Sequence, residues 1–247
     1  MHPGLEITPP FFGIGPKAYM YGGDLIELAM RADSLSRTYG VQGIITPQYV
    51  DIPLIARAVE RLIVFAQHMD SLTPGRGVGS VLPEAIKAAG ARGVLLNHVE
   101  RRLARRELTR TMRRANEVGL ATMVCADDVD DAVSIAELSP DIIIVEAPDL
   151  IAGGRRDDGN RAAIPAVNEA IWSVDPRVRV LHGAGINGPQ DVYDVTAAGA
   201  QGTGSSSAVF TASDPAAMLE AMIRAMRDAW NGTRSANEFG ASPAGRA

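Results

Sequence analysis

Short apolar runs alternate with longer amphipathic stretches from one end of the chain to the other. The runs at 11–14, 43–46, 62–67, 93–96, 121–125, 142–146, 178–182 and 202–205 read as strands, most of them apolar and β-favouring. Between them, 23–39, 52–61, 101–118, 128–138, 161–173 and 189–198 read as helices. A closing helix spans 214–230, and its Asp214-Pro215 start fits an N-cap followed by proline in the first turn. Strands alternating with helices imply parallel βαβ units. Eight repeats in 247 residues favour an α/β fold of the closed (β/α)8 type over an open doubly wound sheet, since such barrels typically need roughly 250 residues. No linker divides the chain. Residues 1–230 read as one domain with a proline-containing lead-in, and 231–247, rich in Gly, Ser, Ala and Pro, as a flexible tail.

The polar residues that matter in such a fold sit where apolar runs end, because those strand ends form the floor of a barrel's active site. His98 and Glu100 follow the run ending at Leu96, and Glu146 ends the run Ile142-Ile143-Ile144-Val145. A carboxylate at the end of an apolar strand is partly desolvated, which raises its pKa toward that of a useful base. His98 lies where a strand is expected to hand over to a helix, whose N-terminus disfavours the imidazolium and leaves a neutral N–H donor. Imidazole and carboxylate together suit moving a proton next to a carbonyl. Lys17, just after the first strand, places a cation at the mouth, where it could neutralise phosphate or developing negative charge.

Two glycine-rich segments follow the last two strands: Gly183-Ala184-Gly185-Ile186 and Gly202-Thr203-Gly204-Ser205-Ser206-Ser207. Exposed backbone N–H groups at such turns bind a phosphate dianion, and barrels commonly place that site in these two loops. After Glu146, Asp149-Leu150-Ile151-Ala152-Gly153-Gly154 pairs an apolar tip with two glycines, as a closing lid does.

Composition narrows the class. A net charge of -5 argues against nucleic acid as a partner, and the arginines from Arg101 to Arg114 read as a solvated helix face. Cys125 is the only cysteine, so no intrachain disulfide forms; at the end of a strand it reads as a small buried residue and not a nucleophile. No apolar stretch is long enough for a membrane span and no secretory leader is visible, so the expected setting is cytoplasmic. His68 and His182 also stand at strand ends but lack acidic partners at metal-ligand spacing. They read as structural, and no metal site is expected.

These residues resemble a known family. Phe65-Ala66-Gln67-His68-Met69-Asp70, Leu82-Pro83-Glu84-Ala85-Ile86-Lys87-Ala88-Ala89-Gly90, Leu96-Asn97-His98-Val99-Glu100, Glu146-Ala147-Pro148-Asp149-Leu150-Ile151, Gly183-Ala184-Gly185-Ile186 and Ala212-Ser213-Asp214-Pro215 occur in the order and at the separations found in triosephosphate isomerases, most like the short archaeal type. The resemblance implies a cofactor-free aldose–ketose isomerase of a small phosphorylated sugar, working through an enediol. It also implies roles: Lys17 as the electrostatic lysine, His98 as the electrophile, Glu100 as a buried acid orienting Lys17, and Glu146 as the base. Gly153 falls in the lid, and Gly183, Gly185, Gly204 and Ser205 in the phosphate pocket. The family assembles through the loop after its third strand, here Asp70 to Val78, which implies a homodimer or homotetramer. The chain departs from the family pattern at Gly15, usually Asn, at Val99, usually Ser, and in its serine-rich last loop. The missing amide at Gly15 opens space that suggests a four-carbon ketose phosphate such as erythrulose phosphate as a competing substrate. Two further functions fit the same residues less closely: a Schiff-base aldolase using Lys17 and a non-catalytic phosphosugar sensor.

Overall fold

In the computed structural model, which describes residues 5–146 and 158–240, each of the eight predicted runs becomes a strand. These are β1 (Phe11–Ile14), β2 (Gln42–Ile45), β3 (Ile63–Ala66), β4 (Gly93–Leu96), β5 (Ala121–Ala126), β6 (Ile142–Val145), β7 (Arg179–His182) and β8 (Gly202–Ser205). All pair in parallel in sequence order, and β8 pairs with β1 to close an eight-stranded barrel. The helices are α1 (Gly22–Tyr39), α2 (Ile52–Ala58), α3 (Pro83–Ala88), α4 (Arg105–Val118), α5 (Val129–Ala136), α6 (Asp158–Ala162), α7 (Ile164–Val174), α8 (Pro189–Ala197), α9 (Ser207–Phe210) and α10 (Pro215–Gly240).

Local chemistry sets the helix ends. α1 and α4 stop at Gly40 and Gly119, both left-handed (φ 63° and 81°), where glycine carries no steric penalty. Asp128 caps α5 by accepting from the Asp131 N–H, and Asp214 caps α10 by accepting from the Ala217 N–H, as its Asp-Pro start predicts. α3 and α9 have no counterpart in the sequence reading, and the helix expected at 161–173 is two helices, α6 and α7. α10 runs past Trp230, where the sequence reading ends it, and continues to Gly240; residues 241–247 lie outside the described residues. Helix propagation is easier than nucleation, so a well-packed helix carries past a weak former such as Gly232.

Strand alternation divides the core in two. Phe11, Ile44, Phe65, Met123, Ile144 and Leu181 fill the barrel's interior. Their neighbours, among them Phe12, Ile45, Val64, Val124, Ile143 and Val180, face outward and pack under the helices. Phe11 and Phe65 are fully buried, each contributing about 1.5–3 kcal/mol by area. Adjacent strands make room for them with glycine. A Cβ at Gly202 would lie 2.4 Å from the Phe11 ring, and one at Gly93 would lie 2.4 Å from the Phe65 ring. Large residues are thus matched by absent side chains, and the lower barrel is filled. The upper rim, where all eight strands end, is left for polar groups.

Candidate active site

That rim opens into a cavity of about 420 Å³ lined by Lys17, His98, Glu100, Glu146, Gly183, Gly185, Gly204 and Ser205 among others. Of the site residues read from the sequence, only Gly153 is missing from this set; it and the expected lid lie outside the described residues.

Lys17 follows β1 in a left-handed conformation (φ 46°), and its Nζ lies 2.7 Å from Glu100 Oε1. Its main-chain carbonyl accepts two side-chain amides, Gln48 Nε2 at 2.8 Å and Gln67 Nε2 at 2.9 Å. Glu100 does not match the buried acid expected: its side chain is 60% exposed. The Lys17 hydrogen bond nevertheless holds the Glu100 carboxyl below its ordinary range.

His98 is reached through Asn97, which ends β4 in a left-handed turn (φ 60°), a conformation that asparagine tolerates better than most residues. Both ends of the Asn97 amide are used. Nδ2 donates to the Cys125 carbonyl at 3.0 Å, and Oδ1 accepts from the Leu103 N–H at 3.1 Å. Arg102 donates to the Asn97 carbonyl and pairs with Asp127, tying the same loop to the end of β5. The Leu103 N–H is thereby committed to Asn97, and the Arg101 N–H to the His98 carbonyl at 2.7 Å. α4 starts at Arg105 and not at Arg101, and His98 precedes a turn, not a helix N-terminus. The expected neutrality has another origin. Burial lowers the imidazole pKa most, and the nearby Lys17 ammonium lowers it further. The ring's Nδ1 accepts from the Glu100 N–H at 3.1 Å, so a neutral His98 carries its proton on Nε2. That nitrogen lies 4.0 Å from Glu146 Oε2.

Glu146 leaves the end of β6, its N–H bonded to the Ala126 carbonyl at 3.0 Å. Its carboxylate rests on Gly183 at the end of β7, where a Cβ would lie 2.3 Å from Oε1. Below it, Cys125 is fully buried, and burial pushes its thiol well up; it stays a packing residue.

The opposite wall has few side chains. Ala184 and Gly185 are both left-handed (φ 55° and 65°). The Ser205 hydroxyl donates to the Ile186 carbonyl at 3.5 Å, and the Ser206 hydroxyl to the Gly15 carbonyl at 2.6 Å. Ser206 and Ser207, in the last segment expected to bind phosphate, line the cavity as well, as does Asn187, to which the sequence assigned no role. Gln48, Gln67 and Asn97 also had no assigned role; Gln67 and Asn97 each carried the signal of a polar residue directly after an apolar run, whereas Gln48 stands two residues beyond its own.

The two other described histidines have local partners. His182 is buried outside the barrel, with Nε2 2.8 Å from Asn168 Oδ1, and His68 is buried with Nε2 3.3 Å from Asp70 Oδ1. His68 also lines the cavity. Arg114, expected on a solvated face, is only 13% exposed and bridges Glu84 and Glu117. Among the described residues no cluster of three or more His, Cys, Asp or Glu side chains is arranged to hold a metal ion, and no helix is long and apolar enough to cross a membrane.

Comparison with known proteins agrees with this geometry. Residues 14–225 match the family profile described as Triosephosphate isomerase. The chain is 36% identical to the triosephosphate isomerase of Methanosarcina mazei over 87% of its own length and 98% of that protein. It is 38% identical to that of Sulfurisphaera tokodaii over 88% and 95%. The crystal structure of triosephosphate isomerase from Bartonella henselae superposes with a TM-score of 0.71 at 17% identity, covering 90% of this chain and all of that one, which supports the fold. A profile match across most of the chain, with relatives more than a third identical along nearly all of it, means that the chain belongs to the triosephosphate isomerase family.

Proposed function

We propose that the protein is an aldose–ketose isomerase that interconverts two triose phosphates, dihydroxyacetone phosphate and glyceraldehyde 3-phosphate, without a cofactor. The observation that carries this reading is the approach of Glu146 to His98 Nε2, at 4.0 Å, on a cavity that also holds the Lys17 ammonium. In this reading Glu146 takes a proton from the carbon next to the carbonyl. The electron pair moves toward the carbonyl oxygen, His98 donates its Nε2–H there, and Lys17 offsets the growing negative charge. Glu146 then returns the proton to the neighbouring carbon while His98 takes back a proton from the adjacent hydroxyl, which becomes the new carbonyl. Glu100 holds Lys17 in place. Backbone N–H groups around Gly183, Gly185, Gly204 and Ser205 are assigned to the phosphate, and Gly153 to a lid that keeps water from the enediol.

The tetrose isomerase, the aldolase and the sensor have less support. The named relatives are triosephosphate isomerases, which favours the triose pair over a tetrose. Lys17 is ion-paired as an ammonium, whereas a Schiff-base nucleophile must be a free amine. A sensor has no use for Glu146 set against His98. A cytoplasmic homodimer or homotetramer joined through the loop after β3 completes the proposal. Comparison of kcat/KM for triose and tetrose phosphates in deuterated water tests the reaction. The triose pair should be the best substrates and should gain solvent deuterium at carbon; a preference for tetroses, or no turnover of any sugar phosphate, overturns it.

A further inference from the structure

Lys17 is one of only four non-glycine residues with positive φ among the described residues, and the only one with a long charged side chain. Such a backbone is strained and persists only where its surroundings over-determine it. Pro16 before it and the Tyr19 N–H, bonded to the Pro16 carbonyl at 2.9 Å, shape the turn but leave the Lys17 carbonyl to be fixed from outside. Two glutamines reach it, one from the loop after β2 and one from the end of β3.

The hydrogen count at this point is closed. Gln67 Nε2 has two hydrogens and two acceptors, the carbonyls of Lys17 (2.9 Å) and Thr46 (2.9 Å). Gln48 Nε2 likewise faces the Lys17 carbonyl at 2.8 Å and Gln67 Oε1 at 3.4 Å. Reversing either amide would set oxygen against oxygen, so the orientations follow from the network. The loop that carries Gln48 is itself anchored. The Asp51 N–H donates to the Gln48 carbonyl at 3.0 Å, and Asp51 Oδ2 accepts from the Gly22 N–H at 3.1 Å. The β2 loop thus grips the β1 loop on both sides of the turn that displays Lys17.

We infer that Gln48 is a positioning residue for the proposed reaction: its amide, acting with that of Gln67, clamps the Lys17 carbonyl and so keeps the lysine ammonium at the cavity wall beside Glu100 and His98. Gln48 touches none of the proposed reacting atoms and acts only through Lys17. This inference rests on the reading of Lys17 given above, and its test separates the two.

The variant Gln48→Met keeps the side chain's length and removes its donors. Loss of one hydrogen bond of ordinary strength should lower kcat/KM for triose phosphate by about three- to ten-fold. His98 supplies a second readout that a merely structural role would not move. It faces Lys17 from the β1 loop, Glu100 and Arg102 from its own loop, and Glu146 from β6, and the Lys17 charge is among the causes that hold its pKa down. When the ammonium swings away, the His98 titration followed by NMR should move upward. Gln48→Asn, one methylene too short to reach, should behave in the same way and serves if the first variant folds poorly. Wild-type kcat/KM in either folded variant overturns the inference, as does a fall in kcat/KM with an unmoved His98 titration. If the wild-type protein turns over no triose phosphate while the His98 shift still appears, the proposed reaction fails and the clamp stands.

Discussion

The two walls of the cavity are built on opposite principles. The wall from β1, β4 and β6 presents Lys17, His98, Glu100 and Glu146, and each is held by partners behind it. The wall from β7 and β8 presents Gly183, Gly185, Gly204 and serines whose hydroxyls turn back onto main-chain carbonyls. Moving a proton needs side chains with fixed charge and tautomer, whereas gripping a dianion needs bare backbone. The walls also meet, since the Glu146 carboxylate lies directly on Gly183. The second wall therefore also sets the position of the base on the first.

The largest expected effect comes from taking the charge off the first wall. Glu146→Gln should leave unfolding unchanged and cut kcat by about 10²–10⁴-fold, the usual contribution of general base catalysis. Retained turnover in that variant removes Glu146 as the base. Next is Gly183→Ala, which adds a single methyl to the bare wall where it would lie 2.3 Å from Glu146 Oε1. Displacing the carboxylate by about an ångström should cost about 10² in kcat/KM without changing any ionisable group. A methyl accepted at full activity would show that the contact between the walls has no consequence.

A smaller effect concerns pH. Both His98 and His68 are held below the ordinary histidine value of 6.5, each chiefly by burial. The unfolded chain therefore binds more protons than the folded one as pH falls below 6.5, and stability declines over that range. Each ring adds at most about 1.4 kcal/mol per pH unit. Urea unfolding of the wild type and of His98→Gln between pH 7.5 and 5 should give a shallower decline in the variant; equal slopes contradict the assigned neutrality. The smallest effect is expected at Ser205→Ala. The hydroxyl's one hydrogen bond is long, at 3.5 Å, so KM should rise by no more than about three-fold. A hundred-fold rise would mean that the second wall binds through side chains after all.

The legible parts of the fold were those set by local rules. Short apolar runs such as Val94-Leu95-Leu96 and Ile142-Ile143-Ile144 marked the strands, and Asp214-Pro215 marked a helix start that the structure keeps. α3 escaped notice because six residues give too little periodicity to distinguish a helix from a loop. The helix predicted from Arg101 starts only at Arg105, after a turn closed by the Arg101 N–H on the His98 carbonyl and held by the Asn97 side chain, contacts invisible in a list of helix formers. Among the site residues, Lys17, His98 and Glu146 stood out by chemical type at strand ends, and Glu100 came through the family resemblance. Gln48, Gln67 and Asn97 did not, because their value lies in an amide meeting a carbonyl from another strand.

Residue order alone determined the alternation of strand and helix, the number of repeats and the rim on which the polar groups would gather. All three follow from periodicity and from the short reach of one βαβ unit to the next. Tertiary structure alone decided the exposure of Glu100, the tautomer of His98, the left-handed turn at Lys17 and the seating of Glu146 on Gly183. Each of these depends on a neighbour dozens of residues away or on how one loop folds back on itself, and such distances are set only when the barrel closes.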